Sequence, residues 1–199
     1  RRREVPRGNI LFYESDPGTS CSIIASGKVK IAVHSTHDGR EHILGFLGPG
    51  DLFGEMSLID GEPRSATAIA VEPTEVVTIQ REDFLRLLEN RPGIAPRLLV
   101  VLCRRLRVTD RHVESLAFLS APGRVARLLL EMEGEALGDG SGETSFETRM
   151  TRQEMANRTG TSRETLTRVL MDYQDRGFIR IDRNRFLVLD RERLRGLVV

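Results

Sequence analysis

Hydrophobic positions recur at two different periods along this chain. Up to about residue 80 they come in short runs, alternating with polar residues or rich in β-branched types: "ILFYE", "CSIIASGKVKIAVH", "EHILGFLGPGDLF", "SATAIAVE" and "EVVTIQ". Between them lie "DPGTS", "THDGR", "GPGD" and "DGEPRS", all turn chemistry. Short strands at this spacing predict a sandwich, roll or small barrel. From Arg81 the period becomes helical. "REDFLRLLENRPG" predicts one short helix closed by Pro92-Gly93, and "IAPRLLVVLCRRLRVTDRHVESLAFLS" predicts a long one.

Within the long helix Leu99, Leu102, Leu106, Thr109, Val113 and Leu116 are separated by 3, 4, 3, 4 and 3 residues. An apolar stripe most often packs on its own domain. Strict 3/4 alternation flanked by charge instead favours a coiled-coil seam, hence a homodimer. The stretch from Leu99 to Leu119 would span roughly 30 Å. Thr109 is the one polar residue on the seam. Ser120-Ala121-Pro122-Gly123 is expected to break the helix, "RVARLLLEMEGEA" to form another, and "LGDGSGET" to be a flexible link.

The last fifty residues carry a more specific pattern. Thr151 with Glu154 makes a T-x-x-E capping box opening a short helix. Gly160 suits a left-handed cap. Thr161-Ser162 then offers an N-cap for a second helix, from Arg163 to about Gly177. Helix, glycine turn, helix is the helix-turn-helix arrangement. "FIRI" and "RFLVL", joined by "DRN", add a hairpin, so the whole reads as a winged helix. In such a unit the start of the second helix enters the major groove of double-stranded DNA. Arg163, Glu164, Thr167 and Arg168 are the candidate base readers. Arginine can pair with guanine O6 and N7, and glutamate can accept from cytosine N4. The plainer reading of Glu164 and Arg168 is an i,i+4 salt bridge. Thr151, Gln153 and Ser162 lie near helix starts and are candidates for phosphate contacts.

Charge agrees with this division. Net charge over all 199 residues is +1, but residues 1–99 carry 12 basic and 14 acidic side chains, a net of −2. Residues 100–199 carry 18 and 15, a net of +3. A basic second half is a modest pointer to nucleic acid. The hydrophobic fraction, 39%, supplies a packed core. Two cysteines, Cys21 and Cys103, are too few for a zinc site or an iron–sulfur cluster and fit a reducing, cytoplasmic compartment. No apolar run approaches a membrane span. The chain opens on Arg1 rather than Met, so further residues are expected before it.

One stretch is left unexplained. "FGEMSLIDGEPRSATA" places Glu55 nine positions before a lone arginine, Arg64, which small residues follow. By its residues alone it is either a solvated loop or the two ends of a ligand site.

Taken with "RRLRVT…VESLAFLSAPGRVARLLL" and "TRQEMANRTGTSRETLTRVL", the chain resembles the CRP/FNR family of transcription regulators over essentially its whole length. The resemblance implies an α+β protein: an N-terminal double-stranded β-helix or jelly-roll that binds an effector, a dimerisation helix and a C-terminal winged helix-turn-helix. The corresponding segments are 1–98, 99–119 and 120–199. R-E-x-x-x-R, here Arg163, Glu164 and Arg168, resembles the catabolite-activator branch and implies a TGTGA half-site in a two-fold operator, with half-sites about 34 Å apart. G-E followed by R-S-A resembles the phosphate-binding cassette of the cyclic-AMP-binding members. Gly54, Glu55, Met56, Arg64, Ser65 and Ala66 occupy it. A cyclic phosphate needs a guanidinium and hydroxyl or N–H donors, which assigns Arg64 and Ser65. Gly54 and Ala66 allow close backbone approach. Glu55 can accept from a ribose 2′-OH. The family's adenine-binding threonine falls on Thr109. The serine that follows it in the family is Asp110 here, a carboxylate that still accepts from an adenine amino group but adds charge, so cyclic GMP stays open as an alternative effector.

The resemblance also implies activation of transcription and adds RNA polymerase as a candidate partner. The helix around Thr109–Phe118 is expected to lengthen or re-register on effector binding, with Phe118, Leu119 and Pro122-Gly123 as hinge. The family's haem sensors need an axial ligand after the cassette; His34, His37, His42 and His112 lie elsewhere. Two alternatives stand beside the effector reading. One is an effector-independent regulator in which Glu55 and Arg64 form a salt bridge closing an empty pocket. The other is a cupin-type metal enzyme, for which His34 and His37 point to opposite faces of a strand and no nucleophile–base set is evident.

Overall fold

The computed structural model describes residues 1–137 and 145–198. They form two compact units, residues 1–107 and 108–199. The first begins with β1 (Arg2–Val5), β2 (Ile10–Phe12), β3 (Ser20–Ser26), β4 (Val29–His34), β5 (Glu41–Leu47) and β6 (Leu52–Phe53). A short helix α1 (Met56–Ile59) precedes β7 (Thr67–Ala70) and β8 (Thr74–Gln80). Then come α2 (Arg81–Asn90) and α3 (Ile94–Phe118), within which the boundary between units falls. The strands make two four-stranded sheets, ordered β1-β8-β3-β6 and β2-β7-β4-β5. All their pairings are antiparallel. This is the roll predicted from the short alternating runs.

The alternation has a plain cause. On β3 and β4 the residues pointing between the sheets are Ile24, Val29 and Ala32, all essentially inaccessible. Ile24 and Val29 meet Val5, Phe53, Ala68 and Val76. A second cluster, Cys21, Leu58, Phe84 and Leu98, ties α1 to α2 and α3. Burial pushes the Cys21 thiol up from its ordinary 9.0 to about 11, and the nearby Glu55 charge adds to the rise.

Two elements of this unit escape the sequence pattern. β1 is mostly charged and forms because its backbone pairs with β8, from Arg2 opposite Val77 to Val5 opposite Thr74. α1 is only four residues long and lies inside the cassette. The histidine geometry also needs correction. His34 ends β4, whereas His37 lies in the following turn, so the two do not share a strand.

The second unit holds α4 (Ala121–Leu137), β9 (Ser145–Glu147), α5 (Arg152–Thr159), α6 (Arg163–Asp175), β10 (Ile179–Asp182), β11 (Arg185–Val188) and α7 (Arg191–Arg195). Its sheet is ordered β10-β11-β9. Its core is built from Leu129, Met155, Leu166, Tyr173, Phe186 and Leu194. The "LGDGSGET" link lies, beyond Leu137, outside the described residues. The long helix does end at Phe118, just before S-A-P-G, but Ala121, Pro122 and Gly123 already belong to the first turn of the next helix. Ser120 Oγ accepts from the Gly123 N–H at 3.3 Å, and Pro122 sits in the first turn of α4, where an N–H has no intrahelical acceptor. The Tyr173 hydroxyl donates to the Pro122 carbonyl at 2.6 Å, pinning that turn to α6.

Candidate functional site

In the roll, the cassette is built from the end of β6, α1 and the start of β7. Gly54 opens it with φ +76°, a backbone conformation that favours glycine, and a Cβ there would lie 2.7 Å from Arg64 Nη1. Arg64 is turned into the roll and is only 5% exposed. Nη1 donates to the Gly54 carbonyl and Nη2 to the Ser20 carbonyl, each at 2.5 Å. Its guanidinium carbon stands 4.3 Å from the Phe12 ring centre. Burial lowers its pKa. Glu55 is 1% exposed. Its Oε1 accepts from Arg105 Nη1 at 2.7 Å, and Arg105 also donates to the Leu52 carbonyl. Glu55 therefore pairs with Arg105 on α3, which corrects the expected Glu55–Arg64 salt bridge. Two buried atoms of the cassette have no hydrogen-bond partner, Glu55 Oε2 and Arg64 Nε.

The remaining cassette residues are less enclosed. Ser65 and Met56 are exposed, with the Ser65 hydroxyl 3.9 Å from Met56 Sδ. Ala66 is buried. Thr109 and Asp110 lie on α3 beyond the boundary at Arg107, in the second compact unit. Sequence reasoning missed Arg105, although it stands one helical turn before Thr109.

Along α3 the seam positions divide. Leu99, Leu106 and Val113 are about 60% exposed and Leu116 is 48% exposed. Leu102 instead packs against the Cys21–Phe84 cluster of its own unit. The plainer fate of an apolar stripe thus holds for that one residue.

In the winged unit the caps fold as their chemistry requires. Thr151 Oγ1 accepts from the Glu154 N–H at 3.2 Å, and Glu154 Oε2 accepts from the Thr151 N–H at 2.8 Å. Gly160 takes φ 60°, ψ 38°, and Ser162 Oγ accepts from the Thr165 N–H at 3.1 Å. Gln153 donates to Asn157 at 2.8 Å. The three phosphate candidates thus already serve caps or local bonds. Arg124 clamps the turn: its Nε donates to the Thr159 carbonyl at 2.7 Å and its Nη1 to the Leu119 carbonyl at 2.8 Å.

The turn presents Arg163, Glu164, Thr167 and Arg168 on one exposed face of α6, continued by Met171, Asp172 and Asp175. No ion pair joins Glu164 to Arg168 among the described residues, so the salt bridge that competed with base reading does not form. The Glu164 backbone N–H holds its carboxyl below the usual range, with Ser162 and the Arg163 charge adding. The carboxylate is therefore an ionised acceptor. The wing carries exposed Arg180 and Arg183, which sequence reasoning had not singled out. Among the described residues no group of three or more His, Cys, Asp or Glu side chains could hold a metal ion, and no helix is long and apolar enough to cross a membrane.

Comparison with known proteins matches residues 2–91 to the cyclic nucleotide-binding domain and residues 123–197 to the Crp-like helix-turn-helix domain. The chain is 39% identical over 191 residues to a CRP-like cAMP-activated global transcriptional regulator of Mycobacterium tuberculosis, covering 96% of this chain and 85% of that one. It is 43% identical over 182 residues to the cyclic AMP receptor protein of Thermus thermophilus, covering 91% and 80%. Among solved structures, the c-di-GMP-responsive global regulator CLP of Xanthomonas campestris superposes with a TM-score of 0.79 at 31% identity, covering 94% and 93%.

Proposed function

From the premise that this chain belongs to the CRP/FNR family of DNA-binding transcription regulators, we propose that it is a cytoplasmic homodimer controlled by cyclic AMP. The observation that carries this reading is the charge arrangement of the cassette. A buried guanidinium is held by two neutral carbonyls and an aromatic face, with Nε unpartnered. Nearby, a buried carboxylate is paired through one oxygen only. A cyclic phosphate is a stronger partner for Arg64 than a carbonyl, because both members of the bond are then charged. Ser65 and Ala66 complete the phosphate cradle with a hydroxyl and a small backbone approach. Glu55 Oε2 is the free acceptor for a ribose 2′-OH. Met56, exposed at the cassette rim, covers the ligand. Thr109 bonds the purine, and Asp110 of a second copy accepts from its amino group. Leu99, Leu106, Val113 and Leu116 join the two copies.

On DNA, Arg163, Glu164, Thr167 and Arg168 read a TGTGA-like half-site, and Thr151, Gln153 and Ser162 set register on phosphates. Activation, with RNA polymerase as the further partner, follows the family's habit. The domains divide as a roll to residue 98, a dimerisation helix from 99 to 119 and the winged helix beyond.

A second reading rests on the same side chains. Both Nη groups of Arg64 and one oxygen of Glu55 are already satisfied within the roll, which suits an effector-independent regulator. Titration calorimetry of cyclic AMP and cyclic GMP into the wild type and Arg64→Ala separates the two. The proposal expects cyclic AMP to bind the wild type and not the variant. No heat from either nucleotide would favour the effector-independent regulator.

A further inference from the structure

We propose that Thr167 is a specificity-determining residue that reads a thymine through its 5-methyl group; this rests on α6 being the base-reading helix. Thr167 is exposed on the face that carries Arg163, Glu164 and Arg168. Its hydroxyl donates to the Arg163 carbonyl at 2.8 Å, four residues back on the same helix. That bond has two consequences. A threonine in a helix divides between two χ1 rotamers, and the bond to the i−4 carbonyl selects one of them. It also commits the only proton the side chain can donate. What Thr167 offers to a partner is then a fixed methyl group and a weak acceptor.

The surroundings extend the apolar character. One turn further on, Met171 is 61% exposed and lies on the same face. Thr167 and Met171 thus make an apolar strip with Arg163 and Glu164 before it and Asp172 and Asp175 after it. In the major groove only thymine presents a methyl group. One helical turn is about 5.4 Å and one base step about 3.4 Å. Thr167 therefore addresses a base pair one or two steps from the guanine read by Arg163.

The test uses the site that the full-length protein itself selects from a randomised duplex pool with cyclic AMP present. Each thymine of that site is replaced in turn, in both half-sites, by deoxyuridine, which removes only the methyl group. Binding is followed by fluorescence anisotropy at one fixed salt concentration. Wild type should lose roughly fifteenfold in affinity at one thymine position, about fourfold for each of the two methyl groups removed. Thr167→Ser keeps the back-bond and loses the methyl, and should bind thymine and uracil duplexes alike. Thr167→Val keeps the methyl and loses the hydroxyl, and should still discriminate.

Equal wild-type binding to every uracil duplex overturns the proposal, as does full discrimination by Thr167→Ser. A selected site with no fixed thymine within two base pairs of that guanine does the same. If wild type enriches no sequence with cyclic AMP, with cyclic GMP or without a nucleotide, the base-reading role of α6 fails, and this proposal with it.

Discussion

Glu55 and Arg64 sit almost wholly inside the β-roll, whereas Arg163, Glu164 and Arg168 stand in solvent on α6. In the roll each charge is tied down by the protein: Arg64 by two carbonyls and Phe12, Glu55 by Arg105. On α6 the three charges are held by the caps and turns beneath them, not by one another. A buried charge costs several kcal/mol unless it is paired, so the roll has to keep its charges satisfied whether or not anything is bound. An exposed charge pays no such cost and can wait for its partner. On the proposed function, occupation of the roll would exchange one set of partners for another. The recognition helix is built as a surface ready to dock.

Four perturbations bear on that contrast. The largest effect is expected from Arg105→Ala, which strands the Glu55 carboxylate. Arg105 is itself part-exposed, so the loss should fall at the low end for a broken buried pair, about 3 kcal/mol in urea unfolding. A loss under about 1 kcal/mol would mean that Glu55 does not depend on Arg105, and the contrast would collapse. Next, Arg163→Ala should cost about 1–3 kcal/mol of DNA affinity and relax specificity at one guanine. A uniform loss on every sequence would make Arg163 a phosphate contact. Thr151→Ala removes the cap of α5 and should cost about 1 kcal/mol of stability, read from thermal or urea unfolding. The smallest effect is a null one. A double-mutant cycle between Glu164 and Arg168 should give a coupling below about 0.3 kcal/mol, since no ion pair joins them. Clear coupling would show that the exposed charges are self-paired after all.

What the sequence discloses follows the range of the interactions. The caps at Thr151, Gly160 and Ser162 are legible because each rests on partners within three or four residues. The strands of the roll are legible because alternation is local. Arg105 is not, since its carboxylate lies 50 positions away in the chain. Nor is the inward turn of Arg64, whose acceptor Ser20 lies 44 positions away. β1 carries too little hydrophobic signal and forms only because β8 offers it an edge. The S-A-P-G run marks the break correctly but hides where the next helix begins, because proline and glycine suit a helix start as well as a break. Leu102 follows the seam spacing, yet its immediate neighbours are on its own unit.

The measurement that decides most is fluorescence anisotropy of a labelled TGTGA-N6-TCACA duplex titrated with protein at one fixed salt concentration, with and without cyclic AMP. Tight binding only in the presence of the nucleotide is the predicted result, and it would make the exchange of partners at Arg64 the controlling event. Equally tight binding in both arms would contradict it, leaving a DNA-binding regulator whose Arg64 and Glu55 serve the roll alone.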